Sequence, residues 1–403
     1  MLFTISWRNV WRNRTRSFVI LGAITVGVWS VIFLISLITG MVNGYINSSI
    51  QNSISHIQLH QPDFIKDKES RFFIPNASRA LPAIEKVKGV KAVSLRSLTN
   101  AMVSSGKGAR GVQVNGIDPA FERKVTLLSE KIVEGNYFDG KKRNPLIISV
   151  RLAGKLGVKL RSKVVLTFQD LDANITAGAF RIVGLFDTGN NIYDEREVFV
   201  LRKNLNRLLG GKDIAHEVAV QLDDVVFLDS CKHLLQSAHP ELLVQTYKEI
   251  SPTLELFQSQ IQMMASIYMT IFMLALIFGI INTMLMAVLE RIRELGMVMA
   301  IGMNKLQVFL MVVLETIFLS VIASPVGLFL GFLTVQYFKE RGLDLFFFSS
   351  EGMKQFGMPH IIYPTTETGV YLQLAMAVGI TAVLASLYPA FKAIRLRPAE
   401  AIS

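Results

Sequence analysis

Residues 17–43, SFVILGAITVGVWSVIFLISLITGMVN, hold no side chain that is formally charged at neutral pH. As a helix they would reach about 40 Å, more than the roughly 30 Å hydrocarbon core of a bilayer. A core helix of a soluble protein is rarely so long and so apolar on every face. Three further runs repeat the pattern: Ile267 to Leu289 at the centre of the uncharged stretch between Glu255 and Glu290, Leu306 to Phe338 with the single charge Glu315, and Thr368 to Phe391 with none. Each run passes the length test on its own, so four transmembrane helices are expected.

The composition agrees with this distribution. The chain has 403 residues, enough for two or three folding units at about 150 residues each. Charged residues make up 18%, below the roughly 25% of a soluble domain. Disorder is excluded because apolar and aromatic residues are plentiful. A disulfide scaffold is excluded because Cys231 is the sole cysteine. The net charge of +11 suggests either nucleic acid or a membrane surface. Ten of the basic residues fall in three short segments: Arg8, Arg12, Arg14 and Arg16; Arg291, Arg293 and Lys305; and Lys392, Arg395 and Arg397. Four alternating helices put all ten on one side, which the positive-inside rule makes the cytoplasm. Against Glu290, Glu294 and Glu400 they account for +7 of the +11, so nucleic acid is not needed to explain the charge.

The expected organisation follows. Residues 1–16 form a cytoplasmic interfacial helix and 17–43 the first transmembrane helix, kept as a signal anchor because no small-x-small cleavage site follows. Residues 44–261 form a large extracytoplasmic α+β domain. Residues 262–289 form the second transmembrane helix with a stalk, 290–305 a cytoplasmic connection, 306–338 the third helix, 339–368 an outer loop, 369–391 the fourth helix and 392–403 a cytoplasmic tail. Pro325 and Gly327 are expected to kink the third helix, and the fourth is expected to break at Pro389. Gly22 and Gly27 offer small surfaces for helix packing.

In the large domain, strands are expected at 54–59, 92–97, 111–117, 163–168, 180–186, 198–201 and 217–222, and helices at 79–87, 149–157 and 226–237. Chemistry is sparse there. His56 and His60 are expected on the exposed face of a strand whose Ile57 and Leu59 point inward. Asp170, Asp172 and Asn174 open like a calcium loop, but Ile175 and Arg181 stand where that loop needs Gly and Glu, which leaves a polar hairpin tip. Cys231 is expected to be a buried thiol. No P-loop pattern is present, so the chain is not expected to bind ATP through a P-loop of its own.

The basic segments carry more information. Phe3, Trp7, Val10 and Trp11 recur at helical spacing, with Arg8, Asn9, Arg12 and Asn13 opposite them. Trp7, Arg8, Trp11 and Arg12 therefore point to a helix lying in the lipid interface. In ERIRELGMVMAIGMNKLQ, residues 290–307, a short helix with a charged start and an apolar end is expected, and Gly296, Ala300 and Gly302 leave room for close approach by another surface. Glu315 lies about a third of the way into the third helix, where a charge costs at least ~2.5 kcal/mol. It is expected to have a structural role, reaching water or an arginine of the 290–305 segment.

The segments WRNVWRNRTRSFVI (7–20), ERIRELGMVMAIGMNKLQVFLMVVLE (290–315) and YPAFKAIRLRPAEAI (388–402) resemble the FtsX-like permeases of ABC transporters, the superfamily of the lipoprotein-releasing and macrolide-exporter types. The order of parts is similar along nearly the whole chain. EGNYF (134–138), IISVRLAGKLGV (147–158) and FRIVGLFDTGNNIYDE (180–195) resemble the outer domain of lipoprotein-releasing permeases. The resemblance implies that Glu290 to Gly302 is a coupling helix docking on a separate ATPase, with Arg291, Arg293 and Glu294 in charged contacts and Met297, Val298 and Ile301 filling a groove. It implies a non-catalytic subunit of the bacterial inner membrane, with both termini cytoplasmic and a second permease, identical or paralogous, beside it. Two ATPase copies would bind ATP and Mg; this chain would hold no cofactor. It also implies a lipoprotein substrate and a periplasmic chaperone, although the hairpin at about 169–179 lacks the proline of the loop that holds the chaperone in those relatives. The alternatives are an exporter of drugs, peptides or other periplasmic substrates and, from another class, a membrane-bound sensor.

Overall fold

The computed structural model describes residues 2–138, 143–344 and 361–395. The chain divides into two units, one of residues 1–42, 258–343 and 361–403, the other of residues 43–257 and 344–360. Most of the expected outer loop and of the expected C-terminal tail, with Arg397 and Glu400, lies outside the described residues.

The helical unit is built on α1 (Leu2–Arg12), α2 (Arg14–Ser49), α3 (Pro252–Glu290), α4 (Ile292–Ala300), α5 (Lys305–Arg341) and α6 (Thr368–Ile394). Four of these, α2, α3, α5 and α6, are long and apolar enough to cross a membrane. The α2 helix outruns the uncharged stretch 17–43 at both ends, and α3 starts ten residues ahead of the expected 262. Ile24, Val28 and Ile32 of α2, Met284 of α3, Leu319 and Ala323 of α5, and Val378 and Ala385 of α6 bury together. Small residues set the closest approach. A Cβ on Gly327 would lie 2.8 Å from the carbonyl oxygen of Thr25, and one on Gly331 2.9 Å from Ile32, so α5 presents a small-xxx-small face to α2. On α2, a Cβ on Gly27 would meet Leu276 of α3 at 3.0 Å, whereas Gly22 faces open space.

The expected break at Pro389 does not occur, because α6 continues through it to Ile394. Proline removes one backbone donor, but Pro389, Ala390 and Ala393 are buried against the bundle, and that packing keeps the helix in line. The α5 helix likewise runs on through Pro325.

The large unit is α+β. Ten strands form one mixed sheet: β1 (Ile57–His60), β2 (Val90–Ser105), β3 (Gly108–Ile117), β4 (Ile132–Gly135), β5 (Pro145–Ser149), β6 (Lys163–Gln169), β7 (Ile175–Phe186), β8 (Glu197–Leu201), β9 (Glu217–Leu222) and β10 (Leu243–Thr246). The pairing order is β10-β1-β9-β2-β3-β8-β5-β7-β4, and β6 joins β2 to β7. The pairing from β2 through β3, β8, β5, β7 and β6 therefore returns to β2. Its interior holds Val103, Val114, Leu146, Leu166, Phe180 and Val198. Helix Val150–Leu156 is closed at both ends: the Ser149 hydroxyl accepts from Leu152 N, and Gly157 takes φ +62 at the C-terminus.

The seven expected strands are present, six with shifted ends and the one at 217–222 as expected. Strands β4, β5 and β10 lie outside those expected. The histidine expectation was wrong: every residue of β1 is buried, and on the histidine side the Phe64 ring stacks on His60 at 5.7 Å. His60 bonds the His216 carbonyl at 3.0 Å and Gln58 at 2.9 Å, and His56 accepts from Leu222 N. The Asp170 carboxylate accepts from the backbone of Asp172 and Asn174, which makes the expected hairpin tip. Cys231 is buried and donates to the Lys88 carbonyl, as expected of a structural thiol.

Candidate functional site

At the end of the helix bundle that carries the basic segments, α1, α4 and the first turns of α5 meet. Chain geometry places each piece. The α4 helix ends in a Schellman turn: Gly302 N donates to Met299 O, Met303 N donates to Val298 O, and Gly302 takes φ +109. Asn304 then starts α5 with a capping box, accepting from Leu306 N while Gln307 accepts from Asn304 N. Four residues, Ile301 to Asn304, thus separate the end of one helix from the start of the next. Gly302 has a conformational reason to be glycine, apart from any docking surface.

The centre of the site is Glu315 of α5. Its Oε1 accepts from Arg16 Nη2 at 3.0 Å and from Arg291 Nη1 at 3.3 Å. Glu315 is 6% exposed at its side chain, Arg16 10% and Arg291 12%, so the group is withdrawn from water. Arg291 Nη2 also donates to the backbone carbonyl of Asn9 at 3.2 Å. One arginine therefore ties the start of α4 to α1 and to α5. Arg12 pairs with Glu294, the Ser6 hydroxyl donates to the Met311 carbonyl, and Asn9 Nδ2 meets Met311 Sδ at 3.6 Å. Two guanidiniums share one carboxylate, and Arg16 Nε and Nη1 have no partner among the described residues. Removing the carboxylate would leave buried, uncompensated charge.

The structure separates the residues expected to dock an ATPase. Arg293, Met297, Ala300 and Ile301 form one exposed face at spacings of four, seven and eight, with Ile301 87% exposed. Glu294 stands beside them, and Val298 is half-buried. Arg291 belongs elsewhere: it is turned inward onto Glu315 and Asn9. Gly296 is buried with Leu295 and packs inside the chain, so it offers no room to an outside surface. Glu290 ends α3 rather than starting the short helix. A cleft of about 490 Å³ opens beside Asn9, Met284, Met297, Val298 and Met311.

The four α1 residues also divide. Trp7 and Trp11 are 44% and 38% exposed and stand edge to face with each other. Phe318 of α5 packs on Phe3 and Trp7, and Phe18 on Trp11. Arg8 is exposed. Arg12 is bound to Glu294, and Val10 faces the core instead of joining the aromatic stripe. The pairing of Arg16 with Glu315 was missed from sequence. The available signal was that a lone carboxylate in an apolar helix needs a cation, and Arg16 is the arginine nearest the first apolar run. Among the described residues no group of three or more His, Cys, Asp or Glu is arranged to hold a metal.

The family model for the MacB-like periplasmic core domain matches residues 17–237, more than half of the chain, and that for the FtsX-like permease C-terminal region matches residues 266–398. The chain is an ABC transporter permease of the MacB/FtsX type. The permease is 23% identical to the uncharacterized ABC transporter permease YvrN of Bacillus subtilis (strain 168), over 99% of this chain and 98% of that one. It is 22% identical to the macrolide export ATP-binding/permease protein MacB of Shewanella sp. (strain W3-18-1), over 97% of this chain and 58% of the relative. With the pyoverdine export ATP-binding/permease protein PvdT of Pseudomonas putida it shares 24% identity, over 99% of this chain and 59% of the relative. The permease thus spans nearly all of the first relative and under two thirds of the other two. Glu315, Arg291 and the exposed face of α4 lie in the segment matched by the FtsX-like model, whereas Arg16 and Asn9 precede both matched segments.

Proposed function

We propose that this permease is the membrane subunit of an export transporter, powered by ATP hydrolysis in a separate subunit that docks on the exposed face of α4. The observation that carries the reading is the division of α4: Arg293, Met297, Ala300 and Ile301 face away from the chain, while Arg291 and Leu295 anchor the helix from behind. An apolar face rimmed by charge suits docking into a groove. A push on it would pass through Arg291 to Glu315 and α5, and through Arg12 and Arg291 to α1. ATP and Mg would be bound by the partner. A pair of permeases with two ATPases, in the bacterial inner membrane and with both termini cytoplasmic, completes the arrangement.

The substrate reading shifts from the lipoprotein release expected from the large-domain motifs. The relatives whose names state an activity are exporters of macrolides and of pyoverdine. The β6–β7 hairpin, closed at Gln169 and Ile175, lacks the proline of a chaperone-holding loop. Both support export of a substrate taken up at the large domain.

Co-expression with a candidate ATPase tests docking. Ile301→Asp and Met297→Asp should abolish copurification while the permease itself purifies normally; retained copurification refutes the docking face. Depletion of the permease tests the substrate class. Correctly sorted outer-membrane lipoproteins support export, and their retention in the inner membrane supports lipoprotein release.

A further inference from the structure

A cavity of about 250 Å³ lies within the large unit, walled by β1, β2, β3, β8, β9 and β10 together with residues 52–54. One part of its wall is electrostatically complete. Arg96 donates to Glu122 through Nε at 3.1 Å and Nη2 at 2.7 Å, and to Glu217 and the Ser53 carbonyl through Nη1 at 2.6 and 2.7 Å. Ser94 and Thr126 also donate to Glu122.

Three other lining groups are not satisfied in this way. Glu197 accepts one hydrogen bond, from Asn115 Nδ2 at 2.5 Å, and no cation among the described residues pairs with it. Asn52 Oδ1 and Gln245 Oε1, on two other lining residues, are buried with no donor among the described residues. The two amide oxygens are acceptors, and so is Glu197 once it gives up its proton. A buried acceptor left unmade costs about 1–3 kcal/mol, more if charged. Water would satisfy the two carbonyl oxygens but would supply no positive charge, and two carboxylates already share Arg96. We propose that this cavity binds a small organic cation, a primary ammonium or guanidinium compound, held by Glu197, Asn52 and Gln245.

The size fits that class. At ~30 Å³ per water the cavity has room for about eight waters, so a ligand of similar heavy-atom count fills it. Drug-sized ligands need about 300–1,000 Å³. Exposed Lys68, Asn100 and Glu249 mark where the cavity opens. The protonation states agree. Burial pushes the Glu197 carboxyl up to about 7, against the Asn115 bond, so the empty site holds a proton that a cation would displace. Arg96 and Lys68 also face the cavity, and both favour the charged form of Glu197. Burial pulls His60 down and pushes Tyr193 well up, Glu122 is held below its ordinary value by Arg96, and Glu217 is paired with the same guanidinium.

The test is isothermal titration calorimetry on the full chain in detergent, with 1,4-diaminobutane and agmatine as probes and glycerol and acetate as controls. The expected result is saturable binding of at least one cation and of neither control, tightening from pH 6 to pH 8. Glu197→Gln and Gln245→Leu should each weaken it about tenfold or more. No saturable binding of either cation means that water alone fills the cavity and overturns the proposal. Equal affinity in wild type and Gln245→Leu overturns it as well, and that variant decides alone should Glu197→Gln fail to fold. This outcome is independent of the docking face on α4.

Discussion

Glu315 and Arg291 meet at 3.3 Å, which joins the third long helix to the short helix whose other face is free. The same carboxylate oxygen lies 3.0 Å from Arg16. Glu315→Ala should therefore destabilise the permease by about 3–5 kcal/mol, because it leaves two buried guanidiniums without a counter-charge. Adding Arg16→Met to that variant should restore part of the loss. Thermal unfolding of the purified protein reads both, and an unmoved midpoint in the single variant would show that the node carries no weight.

The α2–α5 contact depends on two glycines. Gly327→Ala and Gly331→Ala force a methyl against Thr25 O and Ile32 and should each cost about 1–3 kcal/mol. Gly22→Ala, with open space at its Cβ, should be neutral or slightly stabilising. The three unfolding midpoints compared side by side check this, and equal values would remove the close-approach argument.

Asp194 supplies a pH dependence. Burial pushes its carboxyl up to about 7, against the hydrogen bonds from Thr188 N and Oγ1, while in the unfolded chain it titrates near 3.8. Between those values the folded state holds the extra proton, so this stability is present in acid and is lost as pH rises through 7. From pH 5 to pH 8 the loss should be about 2.6 kcal/mol. Asp194→Asn should flatten that slope, leaving the part due to Glu197, which titrates in the same range. Unfolding midpoints across the range decide it; a slope unchanged in Asp194→Asn would place the proton elsewhere.

Topology is open to labelling. Cys231 is buried and should stay silent toward an impermeant maleimide. Lys107→Cys, at the exposed β2–β3 turn, should label in intact cells with a permeabilised outer envelope. Lys305→Cys should label only after the inner membrane is breached. The reverse pattern would invert the assignment of the basic segments to the cytoplasm.

The four long helices were legible because hydropathy sums residue by residue and needs no partner. The Asp170 hairpin tip and the Cys231 thiol were legible for similar reasons, as local chemistry. Strand alternation was less reliable. For β1 it assumed one wet face, but a strand covered on both faces buries polar residues too if each finds a bond, as His60 does beneath Phe64. Strands β4 and β10, four residues each, are too short for a period to stand out. At Pro389, local propensity favoured a break and packing overrode it.

The amino-acid order alone therefore determined which segments are apolar enough for a membrane, where the positive charge concentrates, and that Glu315 must be an exception inside its helix. Only the tertiary structure decided that Arg16, 299 positions away in sequence, supplies its counter-charge, that Arg291 turns inward, and that Arg293, Met297, Ala300 and Ile301 stay free. The reason is geometric. Hydropathy and charge are properties of single residues, whereas the partner a side chain meets depends on how each helix is rotated about its axis, and packing against distant segments sets that rotation.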